Sequence, residues 1–142
     1  MNSLNVVLDT NILVSALRSN RGASYKLLAL LIDDIYTPNI SVPLFLEYES
    51  VIKRPSIADH LTAKEIDDIL NFILSKSRAR SIYFLWRPFL KDPKDDLVLE
   101  VAVESNSEFI ITHNIKDFKG VEKFGIQALG PKQFLIDRGI LK

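Results

Sequence analysis

The sequence predicts an α/β domain with a mostly parallel sheet covered by helices on both faces. Three observations point there. Short β-branched runs alternate with helical patterns along the chain, which is the order that builds parallel crossovers. Two of these runs, Leu4–Leu8 and Phe109–Thr112, are almost wholly apolar, as strands buried on both faces are. The 142 residues, 47% of them hydrophobic and 25% charged, make one soluble domain with room for a core, and only 5 Gly and 6 Pro are spread along it. No repeat or low-complexity linker divides the chain, so residues 1–142 are read as a single domain.

The elements follow in order. Leu4 to Leu8 reads as a buried strand, punctuated by Asp9-Thr10-Asn11 before the helical run Ile12 to Leu17. Arg18 to Gly22 is a turn, and Ser24 to Ile32 a second helical run. Ile35-Tyr36-Thr37-Pro38 is a second strand that the proline is expected to stop. Ser41 has the chemistry of an N-cap, with Pro43 tolerated in the first turn of a helix reaching about Lys53. Thr62-Ala63-Lys64-Glu65 has the form of a capping box, followed by Ile66, Ile69, Leu70 and Ile73 at helical spacing. Ser81 to Leu85 reads as a further strand. Asp92-Pro93-Lys94-Asp95 opens a helix to about Glu104. Phe109 to Thr112 and Ile126 to Leu129 complete the strands, and Gly130-Pro131 starts a last helix containing Phe134-Leu135.

Composition excludes several classes of function. Eighteen basic and eighteen acidic residues leave no net charge, so any basic surface for nucleic acid must be local. The absence of cysteine removes disulfides, thiolate metal sites and cysteine nucleophiles, and suits a cytoplasmic protein. Met1-Asn2-Ser3-Leu4-Asn5 lacks the basic start and long apolar stretch of a signal peptide. The longest apolar run, Leu27 to Ile32, is too short to cross a bilayer, so no membrane role is expected.

Ligands of open parallel sheets sit outside the carboxyl ends of the strands, and acidic residues gather there. Asp9 directly follows the first strand. It could serve as a helix cap, but Asn11 competes for that role. Glu47 shares a helix with Leu44, Tyr48, Val51 and Ile52, lying on or beside their buried face, whereas Glu49 points away. An unpaired buried carboxylate costs on the order of several kcal/mol, so Glu47 calls for an arginine or a bound cation. Asp92 is explained as an N-cap before Pro93. Asp95 and Asp96 both fall in the first turn, and helical geometry alone leaves either one as a candidate ligand.

Thr112-His113-Asn114-Ile115-Lys116-Asp117 would emerge beside Asp9 if their strands are parallel neighbours. His60 and His113 have no partner at metal-binding spacing. Several carboxylates at one edge repel unless a cation sits among them, and hard oxygen donors select Mg²⁺ or Mn²⁺ over zinc. Such sites commonly handle phosphates. Arg18, Arg21, Lys26, Lys53, Arg54, Lys91 and Lys94 are scattered cations that could flank the cleft. Trp86 and Arg87 carry no assignment.

Four of these stretches, in this order, resemble the PIN domain: Val7-Leu8-Asp9-Thr10-Asn11, Leu46-Glu47-Tyr48 with Val51 to Pro55, Asp92 to Asp96 with its apolar helix, and Ile110-Ile111-Thr112 with Asp117-Phe118. Gly130 to Leu135 is similar too, so the resemblance runs from about residue 5 to 136. Within the family the chain looks like the prokaryotic VapC-like toxin ribonucleases. That resemblance implies a three-layer α/β/α fold, one or two Mg²⁺ or Mn²⁺ ions and cleavage of single-stranded RNA. It also implies an antitoxin protein as partner and a homodimer. Its acidic positions fall on Asp9, Glu47, Asp96 and Asp117, serving catalysis and metal binding together. Asn11, Thr112, Asn114 and Asp95 would touch substrate or metal-bound water. The chain departs from the pattern at Asn114, where many relatives carry Asp, which removes a charge a second ion would use. The competing reading is a catalytically weak module that holds RNA or protein. A phosphatase-type or receiver-type domain is disfavoured, because no lysine directly follows an expected strand.

Overall fold

The computed structural model describes residues 4–142; the signal-free reading of Met1, Asn2 and Ser3 lies outside them. Five strands form one sheet in the order β3-β2-β1-β4-β5, and every neighbouring pair is parallel. They are β1 (Leu4–Leu8), β2 (Tyr36–Ile40), β3 (Arg78–Ala79), β4 (Phe109–Ile111) and β5 (Gln127–Leu129). Among the described residues six α-helices connect and cover them: α1 (Thr10–Arg18), α2 (Ala23–Ala29), α3 (Val42–Ile52), α4 (Ala63–Lys76), α5 (Pro93–Glu104) and α6 (Pro131–Asp137). The result is a three-layer α/β/α arrangement, as expected.

Local chemistry explains most boundaries. The Ser41 hydroxyl accepts the Leu44 N–H at 3.2 Å, and Pro43 needs no donor in the first turn of α3. Thr62 and Glu65 close the capping box of α4 reciprocally, at 3.1 and 3.0 Å. The Asp92 carboxylate accepts the Lys94 N–H at 2.9 Å at the start of α5. The second helical run is split: α2 ends at Ala29, and Leu30–Asp33 tightens into a 3-10 turn closed by Asp34 in the left-handed region.

Two strand expectations change. β2 is not stopped by Pro38 but runs on to Ile40. Its register against β1 places Pro38 opposite Val6, while β3 joins only at Asn39 and Ile40. The missing N–H of Pro38 therefore falls where the outer edge of β2 is unpaired. Ser81 to Leu85 is not a strand. After β3 the Arg80 N–H still reaches the Ile40 carbonyl, and then the chain leaves the sheet in an irregular segment to Asp92. Tyr83, Phe84 and Leu85 are exposed there, so among the described residues nothing buries this apolar run.

The core lies between sheet and helices. Val6, Val7, Leu8, Ile110 and Ile111 from the two central strands alternate between the sheet's faces and share one buried cluster with Leu99, Val101 and Ala102 of α5, which packs on β1, β4 and β2. Among the helices, α1 meets α2 and α3, α2 meets α6, and α3 meets α5. The chain goes from β1 outward to β2 and β3, then returns to the opposite side of β1 with β4. The strand order thus reverses between β1 and β4. A crevice at their carboxyl ends is the expected ligand position in such a sheet.

Candidate active site

Asp9 stands at that reversal. Its N–H donates to the Ile111 carbonyl at 2.9 Å, prolonging the β1–β4 pairing by one residue. Asp9 occupies the N-cap position of α1, yet its side chain does not cap the helix. Instead its Oδ2 accepts the Thr112 hydroxyl at 2.7 Å, from the residue after β4. Thr112 is itself fixed: its N–H donates to Leu129 at 2.8 Å, and its Oγ1 accepts the Asn114 N–H at 3.0 Å and the Asn11 amide at 3.4 Å. Asn11 in turn accepts the His113 N–H, and the His113 ring meets Ser24 at 2.8 Å. One hydroxyl therefore ties the ends of two central strands to a carboxylate.

Glu47 arrives from α3. The neighbouring Tyr48 is wholly buried, and its hydroxyl donates to the Leu8 carbonyl, one residue before Asp9. That bond pins α3 against the end of β1 and brings Glu47 to the same cleft. The carboxylate is partly buried and lies 3.8 Å from the Lys94 ammonium. Glu49 faces away, as expected, and pairs with Lys53 at 3.2 Å.

Asp95 completes the wall from the first turn of α5. The cleft, about 370 Å³, is lined by Asp9, Asn11, Glu47, Asp92, Asp95, Asn114 and Asp117, with Arg54 and Lys94 as its cations. Asp96 is not among the lining residues. It is 1% exposed, its Oδ1 accepts the Leu90 N–H at 2.9 Å, and its Oδ2 is buried with no hydrogen-bond partner among the described residues. The structure thus brings Asp95 to the cleft, and not Asp96, the position to which the family resemblance pointed. Successive side chains on a helix diverge by roughly 100°. Asp96 shares its face with Glu100, one turn on, and both face the irregular segment before α5. Glu100 accepts the Trp86 N–H at 2.9 Å and pairs with the Arg87 guanidinium at 2.6 Å. Asp96 and Glu100 are the clamps of that segment; Asp95 looks the other way, into the cleft.

The electrostatics agree with that division. Burial, then the charges of Asp9, Asp92, Asp117 and Asp96, push the Asp95 carboxyl from its ordinary 3.8 up to about 7. Burial also raises Asp9, opposed by the Thr112 hydroxyl bond and the Thr10 N–H; Asp117 adds to the rise and His113 draws it down. Burial and the Asp9 charge push the Tyr48 hydroxyl well above its usual range, which keeps it a neutral donor. Among the described residues no three acidic or histidine side chains are drawn close enough to hold an ion as they stand.

Of the expected site residues, the structure brings together Asp9, Asn11, Glu47, Asp95, Asn114 and Asp117, with Thr112 buried behind Asp9. Arg54 and Lys94, two of the scattered cations, do line the cleft, while Lys53 is engaged by Glu49 and Asp67. The pairing of Glu100 with Arg87 is new to the structure. A charged residue inside the apolar run Leu97 to Ala102 is the signal that could have found Glu100.

A family model, the PIN domain, matches residues 5–116. No curated protein matches the chain. Among solved structures, VapBC2 from Rickettsia felis, bound to a DNA fragment from the promoter, superposes with a TM-score of 0.61 at 20% identity. That match covers 88% of this chain and 97% of the other. VapBC-1 from nontypeable Haemophilus influenzae gives the same TM-score at 16% identity, covering 91% and 99%. At these identities the likeness is one of fold.

Proposed function

Because the chain belongs to the PIN domain family, we propose that it is a divalent-metal-dependent endoribonuclease that hydrolyses phosphodiester bonds of single-stranded RNA. The observation that carries this reading is the convergence of Asp9, Glu47, Asp95 and Asp117 on one cleft, with Asp95 pushed to about 7 by burial and its acidic neighbours. Crowded carboxylates that resist ionising together are what a cation relieves. The donors are all oxygen, which suits Mg²⁺ or Mn²⁺. The chemistry of the cleft therefore fits such an ion, although its side chains must draw inward to ligate it.

In this reading Asp9, Glu47 and Asp95 hold the ion, with Asp117 helping to orient the attacking water. Bound there, the ion would activate water and offset charge on the phosphodiester oxygens. Thr112 fixes the Asp9 carboxylate through its hydroxyl. Tyr48 fixes the helix that carries Glu47. Lys94 and Arg54 are placed to meet phosphates. Asn114 supplies an amide oxygen where a carboxylate would add charge, which favours one tightly held ion over two. Asp96 has no part in ligation and serves the fold.

The test is Mn²⁺-dependent cleavage of a single-stranded RNA. Asp9→Asn and Asp95→Asn should abolish it while the fold, followed by circular dichroism, persists. Cleavage surviving in both variants would sink the proposal. A second reading, a module that binds RNA or protein without cutting it, is favoured by the neutral Asn114. Calorimetric titration separates the two, because a pure binding module has no need to take up Mn²⁺ below millimolar concentrations.

The biological setting we propose is that of the toxin in a toxin–antitoxin pair, with a cognate antitoxin and a homodimer as its assemblies. The fold-level likeness to two VapBC complexes supports it. No helix among the described residues is long and apolar enough to cross a membrane, and a cytoplasmic location is part of the proposal.

A further inference from the structure

The acidic cleft is not the largest concavity at this end of the sheet. A cavity of about 860 Å³ lies beside it, at the 3-10 turn Ile115–Phe118, and its floor is apolar: half-buried Ala128 and exposed Ile115 face it, with Phe118 and Ile126 buried beneath them. Its wall carries Lys91, Lys116 and Lys119, all exposed. None of the three makes an ion pair among the described residues. The acid on that wall, Glu122, turns its carboxylate back to the Gly120 N–H at 3.2 Å.

The cavity adjoins the cleft through two pairs of chain neighbours. Asp92 lines the cleft and Lys91 the cavity; Asp117 lines the cleft and Lys116 the cavity. Consecutive Cα atoms are about 3.8 Å apart, so charge reverses sign within one residue on both walls. Unpaired cations over an apolar floor suit one ligand chemistry well: a phosphate with a flat aromatic group attached.

We propose that this cavity is a nucleotide subsite. It receives the base of a nucleotide flanking the scissile bond of single-stranded RNA on Ile115 and Ala128, and its phosphate on Lys91, Lys116 and Lys119. This rests on the ribonuclease reading above. It gives a protein of zero net charge the local basic surface it needs, beside a cleft that would otherwise repel a polyanion. The RNA backbone then runs between Arg54 and the three lysines, with the scissile phosphate over the acidic cleft.

The experiment measures binding of a fluorescent single-stranded oligoribonucleotide by anisotropy across a salt series, in chelator so that nothing is cut. Wild type should bind with a salt-dependent affinity. K91A/K116A/K119A should bind about tenfold or more weakly, with the log–log salt slope shallower by about 2, near 0.7 for each phosphate no longer neutralised. Ile115→Ser should weaken binding with the slope unchanged. The single variants Lys116→Glu and Lys119→Glu, each at an exposed position, cover the case in which the triple variant does not fold. Wild-type affinity and slope in the lysine variants would overturn the subsite, and the nuclease reading would stand if their cleavage also persisted. Wild type that neither binds nor cuts RNA would remove both.

Discussion

Asp95 and Asp96 are adjacent in the chain and opposite in environment. The Asp95 carboxyl lines the acidic cleft, while Asp96 is buried on the far side of α5, accepting the Leu90 N–H at 2.9 Å. Position in the first helical turn allows either to be the acid of the site. The structure separates them by what each holds.

That separation predicts opposite stability effects. Asp96→Ala leaves the buried Leu90 N–H without an acceptor and should cost about 2 kcal/mol, in the range for removing a charged partner from a buried donor. Asp95→Ala relieves repulsion and should leave the metal-free protein as stable as wild type or more so. Urea unfolding of both variants in chelator checks this. A larger loss from Asp95→Ala than from Asp96→Ala would reverse the assignment.

The Asp95 carboxyl sets a pH dependence. Its proton is held more tightly in the folded chain, near 7, than in the unfolded chain, near 3.8. Its contribution to stability is therefore fully present below about 4 and is lost as pH rises through about 7. Between those limits the metal-free wild type should lose melting temperature, relative to Asp95→Asn, as pH increases. Protons and Mn²⁺ compete for the same oxygens, so apparent Mn²⁺ affinity should weaken as pH falls below about 7. Melting curves of the two proteins that stay parallel from about pH 5 to 8 would contradict this.

Thr112 is the positioning residue with the most connections. Thr112→Val removes the donor to Asp9 and the acceptor of the Asn114 N–H. Stability should fall by about 1–2 kcal/mol. Mn²⁺ affinity should fall about 10- to 100-fold, the usual effect of losing a residue that orients a metal ligand. Thr112→Ser, which keeps the hydroxyl, should restore the affinity. A loss in the serine variant as large as in the valine variant would show that the methyl group's packing is what matters.

Arg87 and Glu100 set the last expectation. Their 2.6 Å pair joins a half-exposed guanidinium to a buried carboxylate. Arg87→Ala leaves that carboxylate with only the Trp86 N–H, and the segment from Arg80 to Asp92 should then open more often. Limited proteolysis within that segment should accelerate, with little change elsewhere. An unchanged cleavage pattern would mean that the aromatic contacts of Trp86 with Phe84 and Phe124 hold the segment on their own.

What can be read from the sequence divides along the range of the interactions. The Ser41 cap, the Thr62–Glu65 box and the Asp92 cap are bonds within three residues, and local pattern carries them. Asp9 is legible because strand ends are where parallel sheets place ligands. Glu47 is legible from its place beside the Leu44, Tyr48 and Ile52 stripe. The choice between Asp95 and Asp96 is not, because α5 is buried almost all round from Val98 to Ala102 and its periodicity names no single inward face. Ser81 to Leu85 misleads for a related reason. Its apolar character suggests a strand, but the segment it opens is tied down further on, where Trp86, Arg87 and Leu90 bond to Glu100 and Asp96 of α5.

The sheet ends on one side in β3, two residues long, beginning at Arg78 and followed by Arg80, and on the other in the three-residue β5. Neither border offers an incoming chain a ladder of backbone donors and acceptors long enough to template a sixth strand. Self-association by edge-to-edge strand pairing is thereby disfavoured, which protects a molecule whose central strands are almost wholly apolar. The same geometry directs recognition: whatever binds this domain has to do so through side chains presented by helices and turns, so specificity rests on residues free to vary without disturbing the sheet.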